Sequence, residues 1–201
     1  MPADISDLTS YINTDNGVIE SGGELKILGF TFDRSPTAVT HVTKVIDSFY
    51  GKLWTLRFLK KGGMAKNDLL NVYRTVVLPG VEYCSTVYNP LIPEYVSEQL
   101  ESVQKQALKI IYGWSVNYKE LVQTGEIETL KQRREKKSLK FALRAKKNNR
   151  FEEWFPAAVH TDRDFRLTTR RPYREKQCKT ERARNSPMQY MLRQLNEHES
   201  N

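Results

Sequence analysis

The sequence contains little cysteine and little histidine, with two Cys and three His in 201 residues. Cys84 and Cys178 stand far apart, and neither belongs to a Cys-x-x-Cys pair or lies beside clustered histidines. This usage argues against a zinc site and against a disulfide framework, and it fits a reducing compartment. We therefore expect a protein without a metal and without a cofactor.

Long apolar segments are also absent. No run of 18 apolar residues occurs, and the first residues lack the basic-then-apolar order of a secretory signal. We expect an intracellular protein of the nucleus or cytoplasm, neither secreted nor inserted in a membrane. A hydrophobic fraction of 39% supports a modest core, whereas a charged fraction of 28% and a mean hydropathy of -0.62 leave much of the chain in water.

The residue sets that carry catalysis are missing. A polymerase palm holds two metal ions with an Asp on one strand and an aromatic-x-Asp-Asp turn on a hairpin, and no such set occurs. Asp4, Asp7 and Asp15 are interpreted as turn and capping residues. The glycine pairs Gly22-Gly23 and Gly62-Gly63 stand alone and form no phosphate loop.

Histidine supplies no evident catalytic base either. His41, His160 and His198 are isolated in the sequence, and His41 is expected on the polar flank of a helix. We therefore expect no enzymatic activity from this chain.

Positive charge is concentrated in the C-terminal half. Residues 1–130 carry 12 Lys and Arg against 15 Asp and Glu, whereas residues 131–184 carry 19 against 7. A one-sided basic block is typical of contact with a polyanion, because each neutralised phosphate releases counterions. From charge alone, a solvated basic tail that only aids solubility is an equally good interpretation.

The first 35 residues are predicted to form β structure. Asp15-Asn16-Gly17 separates two strand-like stretches, and Asn-Gly is a strong signal for a tight hairpin turn. Farther on, Leu25 and Ile27 alternate in one phase and Phe30 and Phe32 in the other. This change of phase predicts one strand with a bulge or kink at Leu28-Gly29.

Apolar residues that step by three and four predict a helix from Thr37 to Leu59. Its stripe consists of Val39, Val42, Ile46, Phe49, Leu53 and Leu56. Gly62-Gly63 is expected to end it, and a second helix from Ala65 to Leu78 is expected before Pro79-Gly80 breaks or kinks it.

Three more helices are predicted downstream. Pro93 opens one that runs to about Tyr112, with Gly113 as its C-cap. A short helix precedes Gly125, and a polar helix runs from Ile127 to Lys147.

Beyond residue 150 the composition changes. Residues 157–187 are rich in Arg, Thr and Lys and poor in aliphatic side chains, so disorder is expected, with one or two helical turns near Met188 to Leu195. We therefore predict a mainly α protein in three parts. These are a β-hairpin (1–35), a three- to four-helix bundle (36–150) and a basic, largely disordered tail (151–201).

One basic cluster lies on the polar helix and consists of Arg133, Arg134, Lys136 and Lys137. It is prolonged by Lys140, Arg144, Lys146 and Lys147. Nucleic-acid binding is the preferred interpretation, because few acidic residues compensate these charges. A solvated helix face is the alternative.

Several short motifs follow one another in a characteristic order. They are Leu28-Gly29-Phe30, His41 with Val45, Leu53 to Leu59, Tyr73 to Pro79, Val81 to Pro90, and Leu100-Glu101-Ser102-Val103-Gln104-Lys105-Gln106-Ala107. This order resembles the region just downstream of the active site in reverse transcriptases of non-LTR, LINE-type and jockey-like retrotransposons. The resemblance covers roughly Val18 to Lys147.

The resemblance implies a thumb and a remnant of the palm, without fingers, catalytic strands or endonuclease. Leu28, Gly29 and Phe30 would then shape a primer-grip-like strand. The basic residues on the helix faces would meet the phosphates of RNA or an RNA/DNA duplex without reading bases. In the first long helix these are Lys44, Lys52, Arg57, Lys60 and Lys61.

Other side chains near these motifs receive structural interpretations. Trp54 and Phe58 are expected in the core or at its edge, with stacking on a nucleotide as the alternative. Glu82 and Tyr83 are expected to hold a helix junction rather than to touch a substrate.

A second functional class stays open. In this alternative, the chain is a non-catalytic helical protein-interaction module. Its helices also resemble, more faintly than they resemble the reverse transcriptases, the N-terminal helical piece of AlkB-type RNA-modifying enzymes. Self-association would use the heptad helices or an exposed hairpin edge.

Overall fold

The computed structural model describes residues 11–14, 17–20, 23–33, 37–157 and 172–200. Within them the protein is mainly helical and begins with antiparallel β structure, as predicted. The predicted turn residues Asp15 and Asn16, the early Asp4 and Asp7, and His160 lie outside the described residues.

Two short hairpins begin the described chain. β1 (Tyr11–Thr14) pairs with β2 (Gly17–Glu20), which confirms the hairpin around the Asn-Gly sequence. β3 (Glu24–Ile27) pairs with β4 (Phe30–Asp33). The prediction of one kinked strand is therefore wrong. Leu28 and Gly29 have φ angles of 48° and 83°, the combination of a two-residue type I′ turn, so the chain reverses at that point.

The described helices, in chain order, are α1 (Val39–Lys61), α2 (Lys66–Val72), α3 (Leu78–Glu82), α4 (Ser85–Tyr88), α5 (Glu94–Tyr112), α6 (Tyr118–Gln123), α7 (Leu130–Lys146), α8 (Glu181–Arg184) and α9 (Pro187–Ser200). α1 ends at Gly62-Gly63 and α5 ends at Gly113, as predicted. The polar helix α7 begins three residues later than predicted, because Thr129 and Gln132 form a reciprocal capping box.

The main core lies between α1 and α5, with α2 to α4 packed around them. The predicted stripe of α1 is buried except for Val39 in its first turn. Leu53 and Leu56 of α1 and Leu100 and Val103 of α5 are completely inaccessible to solvent. The apolar stripes of α1 and α5 are thus buried in contacts within this chain.

Of the predicted break or kink at Pro79-Gly80, the structure shows no break. α2 continues through a π-helical segment (Tyr73–Val77) directly into α3. The wider turn changes the hydrogen-bond register, so Pro79 falls in the first turn of α3, where a residue without an N–H is tolerated. The Lys52 ammonium donates to the Val76 carbonyl of this segment at 3.3 Å.

The C-terminal residues are more ordered than predicted where the structure describes them. Met191, Leu192 and Leu195 of α9 are buried with Ala142 and Ala145 of α7 in a second core. The small side chains of the two alanines let α7 and α9 approach closely. The few aliphatic residues of this basic sequence are therefore buried between the two helices. The predicted disorder is therefore wrong for residues 172–187, and the helical turns predicted near Met188 to Leu195 are present within the longer helix α9. Residues 158–171 lie outside the described part.

An asparagine fixes the extended segment that precedes α9. The Tyr173 N–H donates to Asn196 Oδ1 at 2.9 Å, and Asn196 Nδ2 donates back to the Tyr173 carbonyl at 3.1 Å. Gln189 Oε1 accepts from the Lys176 N–H at 3.1 Å. These bonds satisfy the backbone N–H and C=O groups of Tyr173 and the backbone N–H group of Lys176.

Candidate nucleic-acid interface

The primer-grip-like residues divide between the surface and the core. Leu28 is 86% exposed in the β3–β4 turn, and its carbonyl accepts a hydrogen bond of 2.6 Å from the Tyr83 hydroxyl. Phe30 is buried, with its ring centroid 4.2 Å from that of His41. Phe30 is therefore a core residue. Tyr83 holds the hairpin turn against the α3–α4 junction, in line with its structural interpretation.

His41 is buried, contrary to its predicted position on a polar flank. Its Nδ1 accepts from the Thr31 N–H at 3.4 Å, which ties α1 to β4. Burial, with a smaller contribution from the Lys44 charge, lowers the pKa of His41 below 6.5. Folding therefore favours the neutral form of the His41 imidazole.

The lowered pKa predicts acid sensitivity. Because the unfolded chain takes up the His41 proton more readily, the stabilisation is complete above pH 6.5 and is lost as the pH falls through the folded-state pKa. We expect the temperature midpoint of unfolding to decrease as the pH is lowered from 7 to about 5. The decrease should be smaller in a His41→Phe variant. Equal pH dependence of the two proteins would contradict this role of His41.

Three of the five predicted cations of α1 stabilise the fold. Lys44 forms an ion pair with Glu24 at 2.6 Å, and Lys52 donates to the π-helical segment. Lys60 donates to the Ile110 carbonyl at 2.5 Å, in the last turn of α5. Each of these cations contacts a neighbouring element, so none of the three is unpaired in this structure.

The remaining two cations lie on a different face of α1. Arg57 and Lys61 are exposed and form no hydrogen bond or ion pair with any residue that the structure describes. Trp54 and Phe58, on the same face, are 65% and 62% exposed. Their expected place in the core or at its edge is therefore wrong. We call Tyr50, Trp54, Arg57, Phe58 and Lys61 the aromatic face.

Glu82 engages two of the four predicted cations in the first half of α7. Its carboxylate, with a side chain only 8% exposed, accepts from Arg133 Nε at 2.5 Å and from Lys137 Nζ at 2.7 Å. Burial alone would raise the pKa of Glu82, but the two cations outweigh burial and hold the pKa below 4.5. Glu82 thus fastens α3 to α7, as its structural interpretation expected.

The side chains of Arg134 and Lys136 also have partners within the chain. Lys136 forms an ion pair with Glu128. Arg134 is 1% exposed, and it donates to Asn89 Oδ1 at 3.0 Å and to Ser97 Oγ at 2.6 Å. The expectation that Arg134 contacts phosphate is wrong, because its guanidinium crosslinks three helical elements in the interior.

Three cations farther along α7 remain available. Lys140, Arg144 and Lys147 follow one another at steps of four and three, all are exposed, and none has a hydrogen bond or ion pair within the described ranges. Lys146, by contrast, pairs with Glu199 of α9 at 2.6 Å. We call Lys140, Arg144 and Lys147 the basic stripe. Helical spacing alone identifies these three as one face, but only the structure shows that they are unpaired.

No group of three side chains suited to holding a metal ion occurs among the described residues. In the same part of the chain, no helix has the length and apolar character needed to cross a bilayer. No protein-family model, curated protein or solved structure matches this chain.

Proposed function

We propose that this chain binds RNA or an RNA/DNA duplex through the sugar-phosphate backbone, as the thumb region of a LINE-type reverse transcriptase without its catalytic palm. The observation that carries the proposal is the basic stripe. Folding engages Arg133, Arg134, Lys136 and Lys137 in contacts within the chain, and it leaves the three cations beyond them on one face without a partner among the described residues.

The stripe is suited to backbone contact rather than to base reading. Its first and last positions lie seven residues apart, about 10 Å along the helix axis, so the three cations can meet successive phosphates. Flexible cationic side chains bind phosphate without sequence information, so the expected binding is nonspecific. Because the sequence contains no aromatic-x-Asp-Asp turn, the proposed role is binding and not polymerisation.

A charge-removal variant tests the proposal. In Lys140→Gln/Arg144→Gln/Lys147→Gln, we expect affinity for a primer-template duplex to fall roughly tenfold or more at about 0.1 M salt. The slope of log affinity against log salt is negative, and its magnitude should decrease by about 3, because three phosphate contacts are lost. Fluorescence anisotropy between about 50 and 200 mM salt measures both quantities.

The matched control removes the same charge elsewhere. Lys26, Lys119 and Lys179 are exposed, and their side chains have no partner among the described residues. The corresponding triple glutamine variant should retain most of the affinity. Equal losses in the two variants would mean that only net charge matters, and the stripe would then have no special role.

The alternative of a protein-interaction module has one observation in its favour. All four residues of β3 are exposed, including Leu25 at 60% and Ile27 at 48%. An apolar strand edge of this kind favours pairing with another chain. Self-association through the heptad stripes, by contrast, would require the core between α1 and α5 to open.

A further inference from the structure

The aromatic face of α1 has an unusual composition for a solvent-facing helix surface. Tyr50, Trp54 and Phe58 are 44%, 65% and 62% exposed. The Trp54 and Phe58 rings lie nearly parallel, with centroids 5.4 Å apart and planes inclined by 17°. The two rings stack on each other, and their exposure leaves further ring surface accessible to a planar ligand.

Two unpaired cations accompany the rings. Arg57 lies between Trp54 and Phe58 in sequence, and Lys61 follows Phe58 by three residues. One helical turn separates Arg57 from Lys61, which is about 6 Å along the axis. The face therefore combines planar apolar surfaces with positive charges at a spacing similar to that of neighbouring phosphates in an extended strand.

The composition decides between the kinds of ligand that such a face suits. The apolar side chains of the face are all aromatic, whereas the seam of a coiled coil is built chiefly from interdigitating aliphatic side chains. If two copies of the chain met through this face, Arg57 and Lys61 of one copy would lie close to the same two cations of the other, and like charges repel. An alternation of aromatic rings and cations is the arrangement that binds unpaired nucleotides.

We propose that the aromatic face binds a single-stranded stretch of RNA or DNA. Bases stack on Trp54 and Phe58, while Arg57 and Lys61 neutralise the adjoining phosphates. The inference rests on the proposed nucleic-acid binding for the class of ligand, but it assigns a separate site to unpaired nucleotides. The basic stripe on α7 then serves the duplex, and the aromatic face serves the single strand.

The test uses the full chain and a single-stranded oligonucleotide that contains 2-aminopurine, whose fluorescence is quenched on stacking. The wild-type protein should quench it. Trp54→Ala and Phe58→Ala should each weaken single-strand binding by about 5- to 150-fold, because one stacking contact contributes about 1–3 kcal/mol. Affinity for a blunt duplex should stay unchanged in both variants.

Trp114→Ala is the matched control, because Trp114 is 80% exposed and lies beyond the end of α5. It should leave quenching and affinity unchanged. Circular dichroism checks that each variant is folded. Unchanged single-strand affinity in folded Trp54→Ala and Phe58→Ala would overturn the proposal, as would an equal loss in Trp114→Ala.

The outcomes also separate this inference from the proposed function. Loss of duplex binding in the stripe variant, with single-strand binding insensitive to Trp54→Ala, supports the proposed function and overturns the aromatic site. Single-strand quenching without any duplex binding supports the aromatic site and contradicts the duplex-binding role. If the wild-type protein quenches nothing and Trp54→Ala dissolves an oligomer seen by sedimentation, the face is a protein interface and the proposal is overturned.

Discussion

Arg134→Ala is expected to lower the free energy of unfolding by about 2–4 kcal/mol, although a count of charges places Arg134 in a phosphate-binding cluster. The side chain is 1% exposed and donates to the Asn89 amide oxygen and the Ser97 hydroxyl. Truncation leaves both acceptors without this donor and opens a cavity between α4, α5 and α7. Chemical denaturation measures the effect, which corresponds to roughly 5–15 °C in the thermal midpoint.

The matched control for Arg134 lies on the same helix. Lys140 is exposed and unpaired among the described residues, so Lys140→Ala should change stability by no more than about 0.5 kcal/mol. The effects on nucleic-acid binding should be reversed. When measured per folded molecule, Arg134→Ala should retain duplex affinity, and Lys140→Ala should reduce it. A folded Arg134→Ala protein of wild-type stability with weakened duplex binding would contradict the assignment.

Glu82→Gln is expected to destabilise the protein by about 1–3 kcal/mol near neutral pH. The substitution removes the charge that Arg133 and Lys137 share. It leaves Lys137 without its ion-pair partner and Arg133 with only the more distant Glu128 carboxylate, at 3.7 Å. The partly exposed cations recover some hydration, which keeps the loss below that of a fully buried ion pair. Urea denaturation of the wild-type and variant proteins measures the difference.

The pH dependence gives Glu82 a second signature. Its folded-state pKa is depressed, so its stabilisation is present above pH 4.5 and is lost as the pH falls through the folded-state value. The gap in stability between wild type and Glu82→Gln should therefore close in acid. The control is Glu94→Gln, because Glu94 is 66% exposed in its pair with Lys131. That variant should lose less than about 1 kcal/mol, and an equal loss in both would argue against a special α3–α7 tie.

The helices could be predicted from the sequence because their signals are local. Val42, Ile46, Phe49 and Leu53 show the stripe of α1 through spacing alone, and Gly62-Gly63 marks its end. The hairpin at Gly17 and the C-cap at Gly113 are equally local features. Each of these signals depends on backbone geometry within a few residues.

The reversal at Leu28-Gly29 could not be predicted in the same way. A leucine at positive φ is unfavourable, so alternation of apolar residues pointed to a kinked strand instead. The turn is held by the Tyr83 hydroxyl, which comes from 55 residues farther along the chain. The continuity of α2 and α3 across Pro79 likewise depends on a π-helical segment whose Val76 carbonyl is contacted by Lys52 from α1.

The candidate sites show the same limit. Charge counting found the basic residues of α7, but it could not separate cations with partners from those without. Glu82 lies 51 and 55 positions before the residues that it pairs with, and the Asn89 that contacts Arg134 lies 45 positions before it. The wrong prediction that Trp54 and Phe58 lie in the core or at its edge has a related reason. An apolar side chain beside a buried stripe is normally covered by a neighbouring element.

The sequence by itself determined the helical class, the ends of the principal helices, the opening hairpin and the excess of positive charge toward the C-terminus. Spacing, capping residues and composition act over short distances, so they need no knowledge of the fold. Only the tertiary structure decided which cations remain free for a ligand, which aromatic rings reach solvent and how the C-terminal residues form a second core. These outcomes depend on contacts between residues far apart in the chain, and whether a charge or ring is available depends on what packs against it.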